Sequence, residues 1–185
     1  MKDLVWVEIS KQALAHNIKQ FRSYVGEKIL CPCVKANAYG HGLIEAAKVF
    51  VENGADWLCV NSLYEAVALR KADIKVPIYI LGYEELGGLQ KAIDLECRLV
   101  VYNKETIEAL GKLGAAVKIH LKVETGNNRQ GILLEELEGF AKLIKSFANI
   151  ELEGLASHFA NIEDTTDHSY AEKQLAKFNQ AAKML

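Results

Sequence analysis

The chain has 185 residues, half of them hydrophobic and a quarter charged, and 22 Lys+Arg against 24 Asp+Glu leave a formal net charge of −2. Length and balance fit a globular chain with one core of ordinary size and exclude disorder. The arginines are only Arg22, Arg70, Arg98 and Arg129, and the lysines alternate with acids, so no basic face is available and no nucleic-acid partner is expected.

The opening MKDLVWVEIS has no leader-like pattern, and no apolar run approaches the roughly 20 residues of a membrane span. A cytoplasmic protein without a membrane partner is expected. Cys31, Cys33, Cys59 and Cys97 lie in dense apolar segments, which fits reduced core thiols better than a disulfide framework. Cys31 and Cys33 share a face of a predicted strand, but they lack the spacing and the further ligands of a zinc site, so no metal is expected.

In chain order, residues 2–8 read as an extended run with Leu4, Trp6 and Glu8 at period two, followed by a helix over 11–24. From residue 28 onward, β-rich runs at 29–34, 57–60, 78–81, 98–102, 117–123 and 150–157 alternate with helical patterns at 41–53, 62–71, 84–94, 104–113 and 133–147. Ser62 with Glu65, and Ser169 with Glu172, have capping-box spacing, the second opening a sixth helix through Leu175, Phe178 and Ala182. Strand followed by helix at this cadence predicts βαβ units and a parallel sheet buried on both faces. No G-x-G-x-x-G follows the first strand, so a (β/α)8 TIM-type barrel is favoured over a doubly wound sheet. Only about six βα units are present, so the barrel is incomplete or the sheet open. The expected division is an N-terminal strand and helix over 1–27, then the first part of the barrel over 28–185.

In a parallel barrel, chemistry sits where strands end. The first strand ends in Val34-Lys35-Ala36-Asn37-Ala38-Tyr39-Gly40-His41-Gly42. Partial burial would lower the pKa of Lys35 and make its amine a nucleophile or base, while the glycines and the next helix start suit a phosphate. A solvated lysine before an ordinary turn is the competing reading. The fifth strand ends in Leu121-Lys122-Val123-Glu124-Thr125-Gly126-Asn127-Asn128-Arg129-Gln130-Gly131. Arg129 offers a carboxylate or phenolate paired donors, and Lys122 points to the interior if Leu121 and Val123 face the helices. A register shift or a snorkelling Lys122 is the alternative. His158 sits where the sixth strand ends. His16, His120 and His168 read as structural or surface residues, and His41 as ambiguous.

The segment from Val34 to Gly42 closely resembles the pyridoxal-phosphate lysine motif of alanine racemases. Trp6-Val7-Glu8-Ile9 with the helix through Asn17, the Glu124 to Gly131 loop and Ser157-His158-Phe159-Ala160 come in the family's order. The resemblance implies that Lys35 bonds pyridoxal 5'-phosphate and acts as one of two bases, and that Tyr39 binds the cofactor phosphate. It implies that Arg129 contacts the phenolic oxygen and the substrate carboxylate region, that Lys122 is carbamylated, that His158 lies near the cofactor, and that Leu81 packs by its ring. The activity so implied is the interconversion of L- and D-alanine for cell-wall synthesis by a homodimer. The family commonly has Asp and Met where this chain has Glu124 and Asn127. The second base, further phosphate ligands and a C-terminal β domain that would take up residues 4–9 are expected beyond Leu185, so the chain looks like an N-terminal fragment that is inactive alone. A serine racemase or an amino-acid decarboxylase of the same cofactor class, or a non-enzymatic module that binds pyridoxal phosphate, are the competing functions.

Overall fold

The computed structural model describes residues 4–185, so Lys2 and Asp3 of the N-terminal run lie outside the described residues. Two compact units are present, one ending at Gly82 and the other beginning at Tyr83.

In the first unit, the Ser10 side chain accepts the Ala13 amide at 3.2 Å and opens α1 (Lys11–Val25). The buried face of α1 puts Ile18 against Leu30 and Ala55, with Val25 and Phe50 packed alongside. Arg22 fastens this helix to later parts of the unit, donating to the carbonyls of Gly26 at 2.8 Å, Lys28 at 2.9 Å and Gly54 at 2.6 Å, and pairing with Asp56. Asp56 also accepts the Leu30 amide at 2.7 Å. That bond, and after it the pairing with Arg22, holds its carboxyl below the usual value. Residues 4–9 form no strand in this chain, which does not hold the β domain they are expected to join, and Leu4, Val5 and Val7 are exposed. A period-two apolar run has no ladder to join unless another strand pairs with it.

The expected first strand at 29–34 is reduced to a bridge between Cys33 and Cys59. Its ladder is partly kept, since Val34 donates to the Cys59 carbonyl at 2.9 Å and Cys59 to the Pro32 carbonyl at 3.0 Å. Pro32 has no N–H to contribute. Beyond it come α2 (Leu43–Glu52), β1 (Leu58–Val60), α3 (Leu63–Lys71) and β2 (Ile78–Ile80). β1 and β2 pair in parallel with Leu58 opposite Ile78. Leu58, Val60, Ile78 and Ile80 are fully buried, as expected of strands covered on both faces.

The second unit opens with a 3-10 turn at Leu86–Gly88, then runs through α4 (Leu89–Asp94), β3 (Arg98–Val101), α5 (Lys104–Leu113) and β4 (Val117–Lys122). It continues with α6 (Leu137–Lys145), β5 (Ile150–Ala156) and α7 (Ser169–Met184). The Asn103 side chain caps α5 by accepting the Thr106 amide at 2.8 Å. Ser169 is not a cap. It lies within α7 and gives its amide to Asp167 at 2.8 Å, with His168 at the cap position. β3, β4 and β5 are paired in parallel. Among the described residues there are five strands rather than the six expected, and no helix is long and apolar enough to cross a membrane.

Alternation along β4 buries Val117, Ile119 and Leu121 on one face and puts Lys118, His120 and Lys122 on the other. Against β5 the register slips, with Ile119 opposite Leu152 but His120 opposite Gly154, so Glu153 is the extra residue of a bulge. The bulge brings the Glu153 carboxylate to Arg98 at 3.2 Å, Lys118 at 3.0 Å and His120 at 3.1 Å. Gly154 leaves room for the ring, because a Cβ there would stand 3.1 Å from His120. His120 is therefore part of an ion cluster. Burial raises the Glu153 pKa, but the hydrogen bonds from Lys118, His120 and Arg98 outweigh it and hold the carboxyl below its ordinary 4.5. A depressed carboxylate contributes stability above its unfolded pKa and loses that contribution as pH falls through its folded value. Glu153→Gln should therefore cost about 2–3 kcal/mol at neutral pH, because it leaves clustered cations without their counter-charge. Urea midpoints measured from pH 7 down to 3 should converge for wild type and variant at the acid end, and a constant gap would refute the assignment.

Candidate active site

In the first unit, Lys35 is half-buried and comes directly after Val34, which is fully buried. The residues after it turn left-handed: Ala36, Asn37, Ala38 and Tyr39 have φ of 51°, 55°, 51° and 54°. None is glycine, and this region costs L-residues roughly 1–2 kcal/mol each, so the turn persists only because its surroundings over-determine it. Those surroundings are visible. Ala38 donates to the Val34 carbonyl at 2.8 Å, and the Asn37 carbonyl accepts Gly40 and Gly42, both at 3.0 Å. The Ala38 carbonyl takes the His41 amide at 3.1 Å and lies 2.8 Å from His41 Nδ1, which makes His41 a brace of the turn.

Tyr39 is exposed, with its hydroxyl 3.8 Å from Cys33 Sγ. Hydrogen bonding to Cys33 and some burial raise its pKa, so the phenol is a neutral donor at physiological pH. The thiols beside it are poor nucleophiles: the hydrogen bond to Cys31 and burial push Cys59 up to about 12, and the hydrogen bond with Cys59 and burial push Cys33 up as well. The start of α2 is less open to an anion than its sequence suggests. The Leu43 amide is already taken by Asn37 Oδ1 at 2.8 Å, and Glu45 occupies the first turn. Leu81, directly after β2, is half-buried and donates its amide to the Val60 carbonyl at 2.9 Å.

In the second unit, Lys122 ends β4 with only 6% exposure and donates to Gln130 Oε1 at 3.1 Å. Gln130 in turn donates to the Tyr102 hydroxyl at 3.1 Å. The neighbouring Leu121 and Val123 are buried on the opposite face, so the interior placement of Lys122 holds without a register shift. Arg129 is exposed on the loop after this strand. That loop is folded around Glu124, whose carboxylate accepts the Gly126 amide and, at 3.3 Å, the Arg129 amide. Burial pushes the Glu124 pKa up, but the amides of residues 126–129 outweigh it and hold the carboxyl below its ordinary value. Gly131 closes the loop at φ 136°, where a Cβ would stand 2.6 Å from the Glu124 nitrogen.

His158 is exposed after β5, and its carbonyl accepts Gln174 Nε2 at 3.0 Å. Gln174, almost wholly buried on α7, also donates to Thr125 Oγ1 at 3.3 Å and accepts the Ala160 amide at 2.8 Å. One helix thereby ties the ends of β4 and β5 together. Gln174 has no special place in the helical spacing and is not identifiable from sequence pattern, and Glu124, though it lies in the strand-end loop, gives no sign there that its carboxylate gathers the loop's amides.

Fold and site together define the class: parallel α/β units of the kind found in (β/α)8 barrels, each with candidate polar groups near strand ends. The profile of the family described as "Alanine racemase, N-terminal domain" matches residues 9–185. The alanine racemase of Desulfovibrio desulfuricans is 38% identical over 182 residues, which are 96% of this chain and 49% of that protein. Alanine racemase 2 of Oceanobacillus iheyensis is 41% identical over 181 residues, 95% of this chain and 46% of that protein. The crystal structure of alanine racemase from Bacillus anthracis with bound L-Ala-P superposes with a TM-score of 0.89 at 34% identity, covering 96% of this chain and 47% of that one. The chain belongs to the alanine racemase family, in the region of its N-terminal domain. It spans about half the length of the curated relatives it matches.

Because Glu124 organises the Arg129 loop, Glu124→Gln should speed hydrogen exchange of the amides of residues 126–129 at least tenfold at pH 7 and leave the strands protected. The same loosening should appear in the wild type as pH falls through the depressed Glu124 value. Unchanged protection of this loop in the variant would show that the carboxylate does not hold it.

Proposed function

We propose that the chain is the cofactor-holding part of an enzyme that interconverts L- and D-alanine with pyridoxal 5'-phosphate. The observation that carries this reading is the half-buried Lys35 directly after buried Val34, succeeded at once by the left-handed turn that bears the Tyr39 phenol. The donor set fits the group: a primary amine suits an aldehyde, and a neutral phenol donates to a phosphate oxygen. When bound, the cofactor supplies an electron sink that acidifies the substrate Cα–H.

Lys35 Nζ removes or returns that proton on one face of Cα. Racemisation requires a second base on the other face, and the reading gives this role to none of the described residues. Arg129 directs its paired donors to the phenolic oxygen and the substrate carboxylate, and a carbamylated Lys122 supplies the negative charge that supports it. Leu81 packs by the ring and His158 lies near it. The same reading makes the whole protein a cytoplasmic homodimer that supplies D-alanine for cell-wall synthesis. The family membership and the solved relative with bound L-Ala-P support it.

Borohydride reduction of the holoprotein, with peptide mapping of the product, should place the pyridoxyl label on Lys35, and Lys35→Ala should trap none. A label on another lysine overturns the assignment. In the whole protein, racemisation of L-alanine should exceed that of L-serine, and the reverse order would make it a serine enzyme. Incubation with carbon-13 bicarbonate should give a carbamate carbon signal that is lost in Lys122→Ala, whereas an identical signal in both proteins would remove Lys122 from this role.

A further inference from the structure

The capping box expected at Ser62 and Glu65 is not formed: Ser62 makes no side-chain cap, and the Glu65 carboxylate is committed elsewhere. Its Oε1 accepts the Ala36 amide at 2.6 Å, and its Oε2 accepts the Asn61 amide at 2.7 Å. Ala36 is the residue directly after Lys35 and the first to enter the left-handed turn. Asn61 is the residue directly after β1. The carbonyl of Asn61 accepts the Gly82 amide at 3.1 Å, and a Cβ on Gly82 would stand 2.2 Å from that oxygen, so the next strand end is locked to Asn61 as well. A carboxylate on the first turn of α3 therefore clamps the lysine turn to the ends of two successive strands.

The clamp bears on the most strained part of the unit. The turn's other hydrogen bonds tie Ala38 back to Val34 and hold the exit at Asn37, Gly40, His41, Gly42 and Leu43, while Glu65 takes the Ala36 amide at the entry. Ala36 is exposed, so without Glu65 its amide would turn to water and the entry angle of the backbone would be free to relax toward right-handed values. Lys35 would move with it. Two N–H donors facing one side chain require two acceptor oxygens. Glutamate supplies them, while glutamine presents one oxygen and one NH2 and so sets a donor against a donor.

We propose that Glu65 is a positioning residue for the Lys35 amine, holding it through a two-amide clamp on Ala36 and Asn61. The inference rests on the reading of Lys35 as the cofactor lysine. The test compares wild type, Glu65→Gln and Glu65→Asp as intact holoproteins, using amide exchange at Ala36 and Asn61 and the pyridoxal phosphate concentration that half-saturates borohydride-trapped labelling. Glu65→Gln should accelerate exchange at the Ala36 amide at least tenfold, whether or not Asn61 follows, and raise the half-saturating concentration about tenfold. Its melting temperature should stay within a few degrees of wild type, because Ala66 and Leu69 carry the buried face of α3. Glu65→Asp, one methylene too short to reach both amides, should show the same direction of change. Labelling of both variants at the wild-type concentration would overturn the proposal, as would unchanged exchange at Ala36. Absence of a Lys35 label in wild type would instead overturn the functional reading on which the proposal rests.

Discussion

Four consecutive non-glycine residues held at positive φ after Lys35 are the constraint around which the first unit is arranged. A left-handed turn built from Ala36, Asn37, Ala38 and Tyr39 is unfavourable on its own, and its cost is of the same order as the whole stability of many small domains. It is offset by neighbours committed to it: the Asn37 side chain gives its acceptor to Leu43, His41 folds back on Ala38, and Glu65 reaches across from α3. Asn37 serves both ends of this arrangement, since the amide it accepts opens α2, whereas Glu65 accepts the amides of Ala36 and Asn61 instead of closing a capping box with Ser62.

The same division of labour recurs in the second unit with different local devices. Glu153 is delivered to Arg98, Lys118 and His120 by a one-residue bulge, and Glu124 is surrounded by the amides of its own loop. Each of these glutamates meets several donors in a partly desolvated setting, and those donors outweigh the burial that would otherwise raise its pKa. A carboxylate with several donors fixes the relative position of chain segments that hydrophobic packing cannot orient, because packing is indifferent to small rotations of a loop.

Strand and helix positions were legible because burial on both faces leaves continuous apolar runs, and β1 to β5 fall inside the runs predicted for them. The first run failed as a strand because Pro32 lacks an amide and Lys35 already leaves the ladder, features that the apolar pattern of 29–34 conceals. Lys35, Lys122 and Arg129 stood out in the sequence because each is a charged residue at or just beyond the end of an apolar run, and of these the structure buries Lys122 and exposes Arg129. Glu65 was seen, but with the wrong partner, since capping spacing depends on sequence distance whereas the Ala36 amide arrives from 29 residues away. The hand of the lysine turn was invisible for a related reason: alanine has no local preference for positive φ, so nothing in Ala36 or Ala38 announces it.

The Arg129 loop is arranged around a carboxylate of long reach. Glu124, one methylene longer than an aspartate, carries its carboxylate far enough from its own backbone to accept amides as far along as Arg129. A longer reach demands that the loop curl around the side chain, and the curl is made possible at its exit by Gly131, at a φ that L-residues rarely adopt and with no space for a Cβ. With its backbone amide turned inward to Glu124, Arg129 presents its side chain outward to solvent. The loop thereby fixes the backbone of Arg129 while leaving its guanidinium exposed, an arrangement compatible with the ligand-binding role proposed for it above.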